Sequence, residues 1–432
     1  MVQRSLTSAR RLRGIINVPG DKSISHRAIL FNALACGQAR ISNFLSGADC
    51  LSSIACMQAL GADIRRQGDE VQISSAGRHQ LQEPADVLDC GNSGTTLRLL
   101  SGILAARPFF SILSGDASLR SRPQRRVVEP LRALGAHLDG RQDGDRAPLA
   151  IRGGTLSSGS YDLAVASAQV KSALLLAALD AHQPLTLGGR IDSRDHTERM
   201  LSAMGADLQL VDGRLQLLPL EGDLTPLSLR VPGDPSSAPF WWVAAAIHPD
   251  AELTTVGVCV NPSRSGAVDV LQAMGADLHI ENRREEGGEP VADITVRSSS
   301  LRATHIAGNI IPRLIDELPI LALAAACAEG RTRVRDAQEL RTKESDRIAS
   351  VAAGLTAMGV PVQTYADGFD ILGQPGALRG ARLESHHDHR LAMTWAVAGL
   401  LAGGETIVTD ADAVGVSYPM FWEVLEQIAE RV

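Results

Sequence analysis

Six times along this chain a loop of small or polar residues opens into a strongly apolar run: SISHRAILFNALACG, SGTTLRLLSGILAAR, SAQVKSALLLAALDA, SSAPFWWVAAAIHPD, DELPILALAAACAEG and DHRLAMTWAVAGLLAGG. Apolar residues fall nearly all round the helical turn in each run, which predicts buried helices rather than amphipathic surface ones. A strand-like segment follows, as in ARISNF, PLTLGG or ETIVTD. A second phrase recurs out of phase with the first: ALGADI at Ala59, ALGAHL at Ala133, AMGADL at Ala203 and at Ala273, and AMGVPV at Ala357. Each copy ends a helical pattern with a glycine where a left-handed cap costs little, and then enters a strand. Glycines 61, 135, 205, 275 and 359 lie 74, 70, 70 and 84 residues apart, longer than solenoid periods. A sixth copy is absent, and the amphipathic segment FWEVLEQIAE ends the chain where it would fall.

The tetrapeptide VPGD occurs at Val18 and again at Val231, 213 positions later, about three repeats. The chain therefore reads as a tandem pair of three-repeat α/β domains with Pro-Gly hinges near Pro19-Gly20 and Pro232-Gly233. One domain is discontinuous, 1–19 plus 234–432; the other is 20–233. Such a turn is expected to place its glycine at positive φ. The first strand is expected to belong to the C-terminal domain, because a closed ring of three units needs it to replace the missing end of the sixth.

Composition narrows the function classes. Hydrophobic residues make up 44% of the 432 and charged residues 21%, the make-up of a globular protein with ample core. A net charge of −7 does not suggest nucleic-acid binding. No apolar run reaches the roughly 18 residues of a membrane span. The basic opening MVQRSLTSARRLRG has no apolar segment behind it and reads as a solvated tail. Cys36, Cys50, Cys56, Cys90, Cys259 and Cys327 form no C-x-x-C pair and read as reduced core cysteines of a cytoplasmic protein. The cluster SHHDHR lacks metal-ligand spacing, so no metal site is expected.

Candidate chemistry collects at the predicted helix N-termini, where orphan amides and the macrodipole favour anions. Lys22, Ser23 and Arg27 stand at the first and GNSGTT at the second. Ser167 and Gln169 stand at the third, Asp316 at the fifth, and Asp388, His389 and Arg390 at the sixth. GDKS is not a P-loop, because Asp21 separates glycine from lysine. Read alone, RTKESDR and SLRSRPQRR are as well explained as solvated charge runs.

The motifs PGDKSISHR, GNSGTTLRL, RSRP, SAQVKSALLLA, SRDHTERM, IDELP, LRTKESDR and DHRLAM, in that order, resemble the 5-enolpyruvylshikimate-3-phosphate (EPSP) synthase family over essentially the whole chain. The resemblance implies two inside-out α/β barrel domains, each of three βαβαββ repeats, with the active site in an interdomain cleft. It implies transfer of the enolpyruvyl (1-carboxyvinyl) group of phosphoenolpyruvate to the 5-hydroxyl of shikimate 3-phosphate, on the route to chorismate and aromatic amino acids. Neither cofactor nor metal is implied; the partners are the two small-molecule substrates, and the family suggests a monomer. By the same resemblance Lys22, Gly94, Arg122, Gln169, Arg347 and Arg390 hold phosphoenolpyruvate. Lys22, Ser23, Arg27, Ser167, Ala168, Gln169, Arg194, Asp316 and Lys343 hold shikimate 3-phosphate. Asp316 is the implied base at the 5-hydroxyl, and Glu344 with Lys22 the proton relay at the methylene. Gly94 implies sensitivity to the phosphonate glyphosate.

Two positions depart from the family pattern. Val416 stands where many members have a lysine, and Glu339 where some have an asparagine. The related UDP-N-acetylglucosamine enolpyruvyl transferases carry a loop cysteine that is absent from Phe109 through Pro130 here. A non-catalytic repeat scaffold does not account for titratable residues recurring at the repeat ends. An RNA-end cyclase would need nucleotide-binding features that this chain lacks.

Overall fold

The computed structural model describes residues 2–157 and 159–431. The chain divides into two compact units. One comprises the chain up to Pro19 with 232–285 and 290 onward; the other comprises Gly20–Val231 and Glu286–Glu289. The second crossing thus falls at Val231, two residues before the sequence boundary, and the tip Glu286–Glu289 was not foreseen. Pro232-Gly233 joins the first unit through backbone pairing: Gly233 N–H donates to the Gly257 carbonyl, and Cys259 N–H donates to that of Gly233. Neither Gly20 nor Gly233 lies in the left-handed region, contrary to the turn expectation. Crowding is the reason for glycine at Gly20, where a Cβ would stand 1.9 Å from the Asn43 carbonyl oxygen.

In the second unit the apolar runs form helices Lys22–Asn32, Gly94–Ala105 and Ala168–Ala177, buried on almost every side. They pack closely enough that a Cβ on Gly102 would lie 2.1 Å from the Ala173 carbonyl oxygen. Three four-stranded sheets complete this unit, all with one connectivity. Leu229–Arg230 runs parallel to Cys36–Ser42, Leu88–Asp89 to Phe110–Ser114, and Ser160–Leu163 to Leu185–Gly189. Each second strand then pairs antiparallel with the inner strand of a hairpin. Leu229–Arg230, last in sequence, pairs with Cys36–Ser42 of this same unit's first repeat and so closes the ring.

The first unit repeats the plan around helices Pro239–Ile247, Leu318–Ala326 and His389–Gly399, with Trp241, Trp242 and Trp395 buried. Trp241 stacks on Phe421 at 5.0 Å between ring centroids. Strand Arg11–Ile16 runs parallel to Ala251–Cys259, and His305–Ile306 to Gly330–Val334. The sixth sheet has three strands, and its missing member is supplied by Arg4–Leu6, antiparallel to Thr406–Val408. The final helix Phe421–Ile428 runs into Ala429–Glu430, which pairs with Arg11 and Leu12.

The recurring glycines behave as the repeat demands: Gly61, Gly135, Gly205, Gly275 and Gly359 all have φ between 87° and 99°, past the ends of their helices. Helix starts are equally regular. Asp21, Ser93, Ser167 and Asp388 cap four of the buried helices through their side chains, and the other two carry a proline, Pro239 or Pro319, within their first two residues. Two further expectations fail. The opening segment is no solvated tail, since Arg4–Leu6 and Arg11–Ile16 are paired strands with Leu6 and Leu12 buried. Cys36 is exposed at the start of a strand and Cys327 is only half-buried, so not all six cysteines are core. Among the described residues no helix is long and apolar enough to cross a membrane.

Candidate active site

Each unit carries its candidate residues on helix N-termini and the loops leading to them. In the second unit Lys22 and Ser23 open the first buried helix, and Arg27 follows one turn later. Lys22 Nζ forms an ion pair with Asp49, both partly buried. Burial alone would push the Asp49 carboxyl up; the charge and hydrogen bond of Lys22 outweigh it and hold that carboxyl below its ordinary value. Arg122 also contributes to that field. Arg122 Nη2 donates to Asn92 Oδ1 (2.5 Å), within the GNSGTT loop.

Gly94 opens the second buried helix. A Cβ there would stand 2.7 Å from Arg98 Nη1. That guanidinium donates to Gln169 Oε1 (2.7 Å) and, through Nε, to Gln124 Oε1 (3.0 Å). Gln169 Nε2 in turn donates to Thr95 Oγ1 (2.9 Å). Gly94 and Gln169 are therefore brought together by Arg98, a residue that sequence reading passed over. Arginine in an otherwise apolar run (TTLRLL) was the available signal.

Arg27 is buried and donates to Thr197 Oγ1 (2.8 Å), Ser172 Oγ (2.8 Å) and the Ser23 carbonyl (3.0 Å). Burial brings its pKa down to about 10, with Arg194 adding like-charge repulsion and Glu198 opposing it. It remains a cation at neutral pH. Arg194 lies in the loop before helix His196–Ala203, and Ser167 and Ala168 form the start of the third buried helix. Two guanidinium groups sharing one field, beside a helix N-terminus, make this corner of the unit suited to a multiply charged anion.

The first unit gathers the carboxylates. Asp316 lies between the helical turn Ile311–Leu314 and helix Leu318–Ala326. Its Oδ1 is 3.4 Å from Lys343 Nζ and 3.5 Å from Arg347 Nη1. Arg347 is buried and also meets Glu344 (2.7 Å) and Asp388 (2.8 Å). Burial opposes its charge, but Glu344, Asp388 and Asp316 together raise its pKa above the usual arginine range. Asp388 caps the sixth buried helix through Arg390 N–H (2.9 Å), while the Arg390 guanidinium donates to the Ser236 carbonyl (3.2 Å). Asp316, Lys343, Glu344, Arg347 and Arg390 thus belong to one connected set. Glu339, the unusual residue, reaches Lys343 Nζ at 2.8 Å. Val416 ends a 3₁₀ turn, 36% exposed. In SHHDHR, His386 and His387 are exposed at positive φ. His389 is buried, and its pKa falls to about 4 through burial and the charge of Arg390.

Two bodies of three repeats, with cations and carboxylates at their helix starts, define the enolpyruvyl transferase class of fold. The enolpyruvyl transferase NikO from Streptomyces tendae has this fold, with a TM-score of 0.80 over 98% of this chain and 96% of its own at 19% identity. A family model for EPSP synthase (3-phosphoshikimate 1-carboxyvinyltransferase) matches residues 6–425, and the chain belongs to that family. A 3-phosphoshikimate 1-carboxyvinyltransferase from Chloroflexus aurantiacus is 65% identical over 429 residues, 99% of each chain. The solved EPSP synthase from Acinetobacter baumannii is 42% identical, with a TM-score of 0.91 over 99% of this chain and 98% of that one.

Proposed function

We propose that the residues gathered in the two units perform the reaction of the family, each set acting on the same pair of substrates. The enolpyruvyl group of phosphoenolpyruvate passes to the 5-hydroxyl of shikimate 3-phosphate, and phosphate leaves. The observation that carries the assignment is the set in which Asp316 meets Lys343 and Arg347 while Arg347 meets Glu344. It brings two carboxylates within reach of two cations, which supports reading them as acid, base and anion-binding groups.

Two phosphates of about −1.5 to −2 each and two carboxylates demand concentrated cations from a chain of net charge −7. Lys22, Arg122, Arg347 and Arg390 meet phosphoenolpyruvate, with Gly94 and Gln169 lining its place. Ser23, Arg27, Ser167, Ala168, Gln169, Arg194 and Lys343 hold shikimate 3-phosphate, which Lys22 and Asp316 also touch. Asp316 takes the proton of the 5-hydroxyl as that oxygen attacks C2, while Glu344 with Lys22 delivers a proton to C3, leaving a methyl group. The cations stabilise the resulting tetrahedral intermediate. In the second step C3 returns its proton, the double bond reforms and phosphate departs with the assistance of an acid. The protein acts in the cytoplasm, as a monomer.

Phosphate release from phosphoenolpyruvate, measured in parallel with shikimate 3-phosphate and with UDP-N-acetylglucosamine, tests this reading. Release with the first acceptor only is expected; release with the sugar nucleotide only, or with neither, defeats it. A second expectation concerns Gly94→Ala. The new methyl displaces Arg98 from Gln169 and crowds the phosphoenolpyruvate place. KM for phosphoenolpyruvate and Ki for glyphosate should both rise, Ki by about tenfold or more. Inhibition kinetics showing an unchanged Ki would remove Gly94 from the pocket.

A further inference from the structure

The helix that begins with Ser167 and Ala168 carries a lysine, Lys171, in the middle of an apolar run, and that side chain is only 2% exposed. A buried ammonium is costly unless its three donors are used, and here all three are. Nζ meets Glu198 Oε1 at 2.5 Å and donates to the carbonyls of Ile191 (3.0 Å) and Ser193 (3.3 Å). Those two carbonyls belong to the loop that delivers Arg194. Glu198 lies in the first turn of the next helix. One buried cation thereby joins the helix of Ser167, Ala168 and Gln169 to the loop of Arg194.

We propose that Lys171 is a positioning residue for shikimate 3-phosphate, holding Arg194 in register with the Ser167 helix start. It touches no substrate itself. Resting on the shikimate 3-phosphate assignment above, this inference adds a residue that the resemblance does not assign. Glu198 makes the arrangement electrostatically delicate. Its Oε2 is buried with no hydrogen-bond partner, and its charge acts on Arg27. Without Lys171, the Glu198 carboxylate is left to compete with substrate for Arg27. Lys171 thus holds the loop and also keeps Glu198 occupied.

Calorimetric titration with shikimate 3-phosphate, alongside steady-state kinetics on the full chain, separates these effects. Lys171→Met/Glu198→Gln removes both charges together, so it leaves no stranded carboxylate and is the variant expected to fold. It should bind shikimate 3-phosphate about tenfold or more weakly, while KM for phosphoenolpyruvate and kcat at saturation move less than about threefold. Glu198→Gln keeps the ammonium on both carbonyls and should lose less than about threefold in shikimate 3-phosphate binding. Lys171→Met alone should bind worse than the double variant. Shikimate 3-phosphate binding within about twofold of wild type in the double variant would overturn the proposal. So would Glu198→Gln weakening it as much as the double variant, or both KM values and kcat deteriorating together. If the wild-type chain itself fails to bind shikimate 3-phosphate, the underlying site assignment falls, a result distinct from failure of the Lys171 role.

Discussion

Lys22→Met should lower turnover by about 10³-fold or more, because in the proposed mechanism one side chain serves both as a phosphoenolpyruvate cation and in the proton relay at its methylene. The fold survives the change. Lys22 lies at a helix start, partly exposed, and the helix cap is made by Asp21, whose Oδ1 accepts from Ile24 N–H at 2.7 Å. The local cost falls on Asp49, which loses its ion-pair partner but keeps the field of Arg122. Stopped assays for phosphate release, with far-UV circular dichroism as a control for folding, make the comparison. Turnover close to wild type in a folded Lys22→Met protein would take the residue out of the mechanism.

Asp316→Ala acts differently. Here kcat should fall by about 10²-fold or more while KM for either substrate changes much less. The asymmetry follows from the neighbours. Asp316 Oδ1 faces Lys343 Nζ at 3.4 Å and Arg347 Nη1 at 3.5 Å. Removing the carboxylate leaves those cations with less internal compensation, which does not weaken their hold on anionic substrates. In the proposed mechanism the main loss is the proton transfer from the 5-hydroxyl. A rise in KM at constant kcat would mean that Asp316 binds without acting as a base. Asp316→Asn, nearly isosteric but no base, should lose kcat to a similar degree and so separates chemistry from packing.

The repeat was legible because its marks are local. A helix that ends in glycine and one that starts with a capping Asp or Ser can be recognised within a few residues, and all five recurring glycines took the left-handed conformation. The same locality made Lys22, Gly94, Ser167 and Arg390 visible as helix-start residues. Their supporting partners come from elsewhere in the chain. Asp388 lies 41 residues beyond the arginine it holds, and Asp49 reaches Lys22 from another helix. No periodicity links such pairs, since they are set by how repeats pack. Lys171 and Arg98 offered an overlooked sign: a cation within a helix that the pattern buries must have a partner. The VPGD turns were read for the wrong reason. Glycine is required at Gly20 by a neighbouring carbonyl, an effect of packing that a tetrapeptide does not reveal.

The sixth sheet also governs the order in which the protein can be made. Its third strand is Arg4–Leu6, translated long before the strand that receives it, Thr406–Val408. Strand Arg11–Ile16 likewise waits for Ala251–Cys259 on one edge and Ala429–Glu430 on the other. Apart from four residues, Gly20–Val231 is continuous, so the unit it builds can complete its three sheets while the ribosome is still working. The opening segment must meanwhile stay unpaired through several hundred residues of elongation, exposing strand edges that invite wrong partners. A nascent chain of this design is folded in its middle before its beginning has found a place.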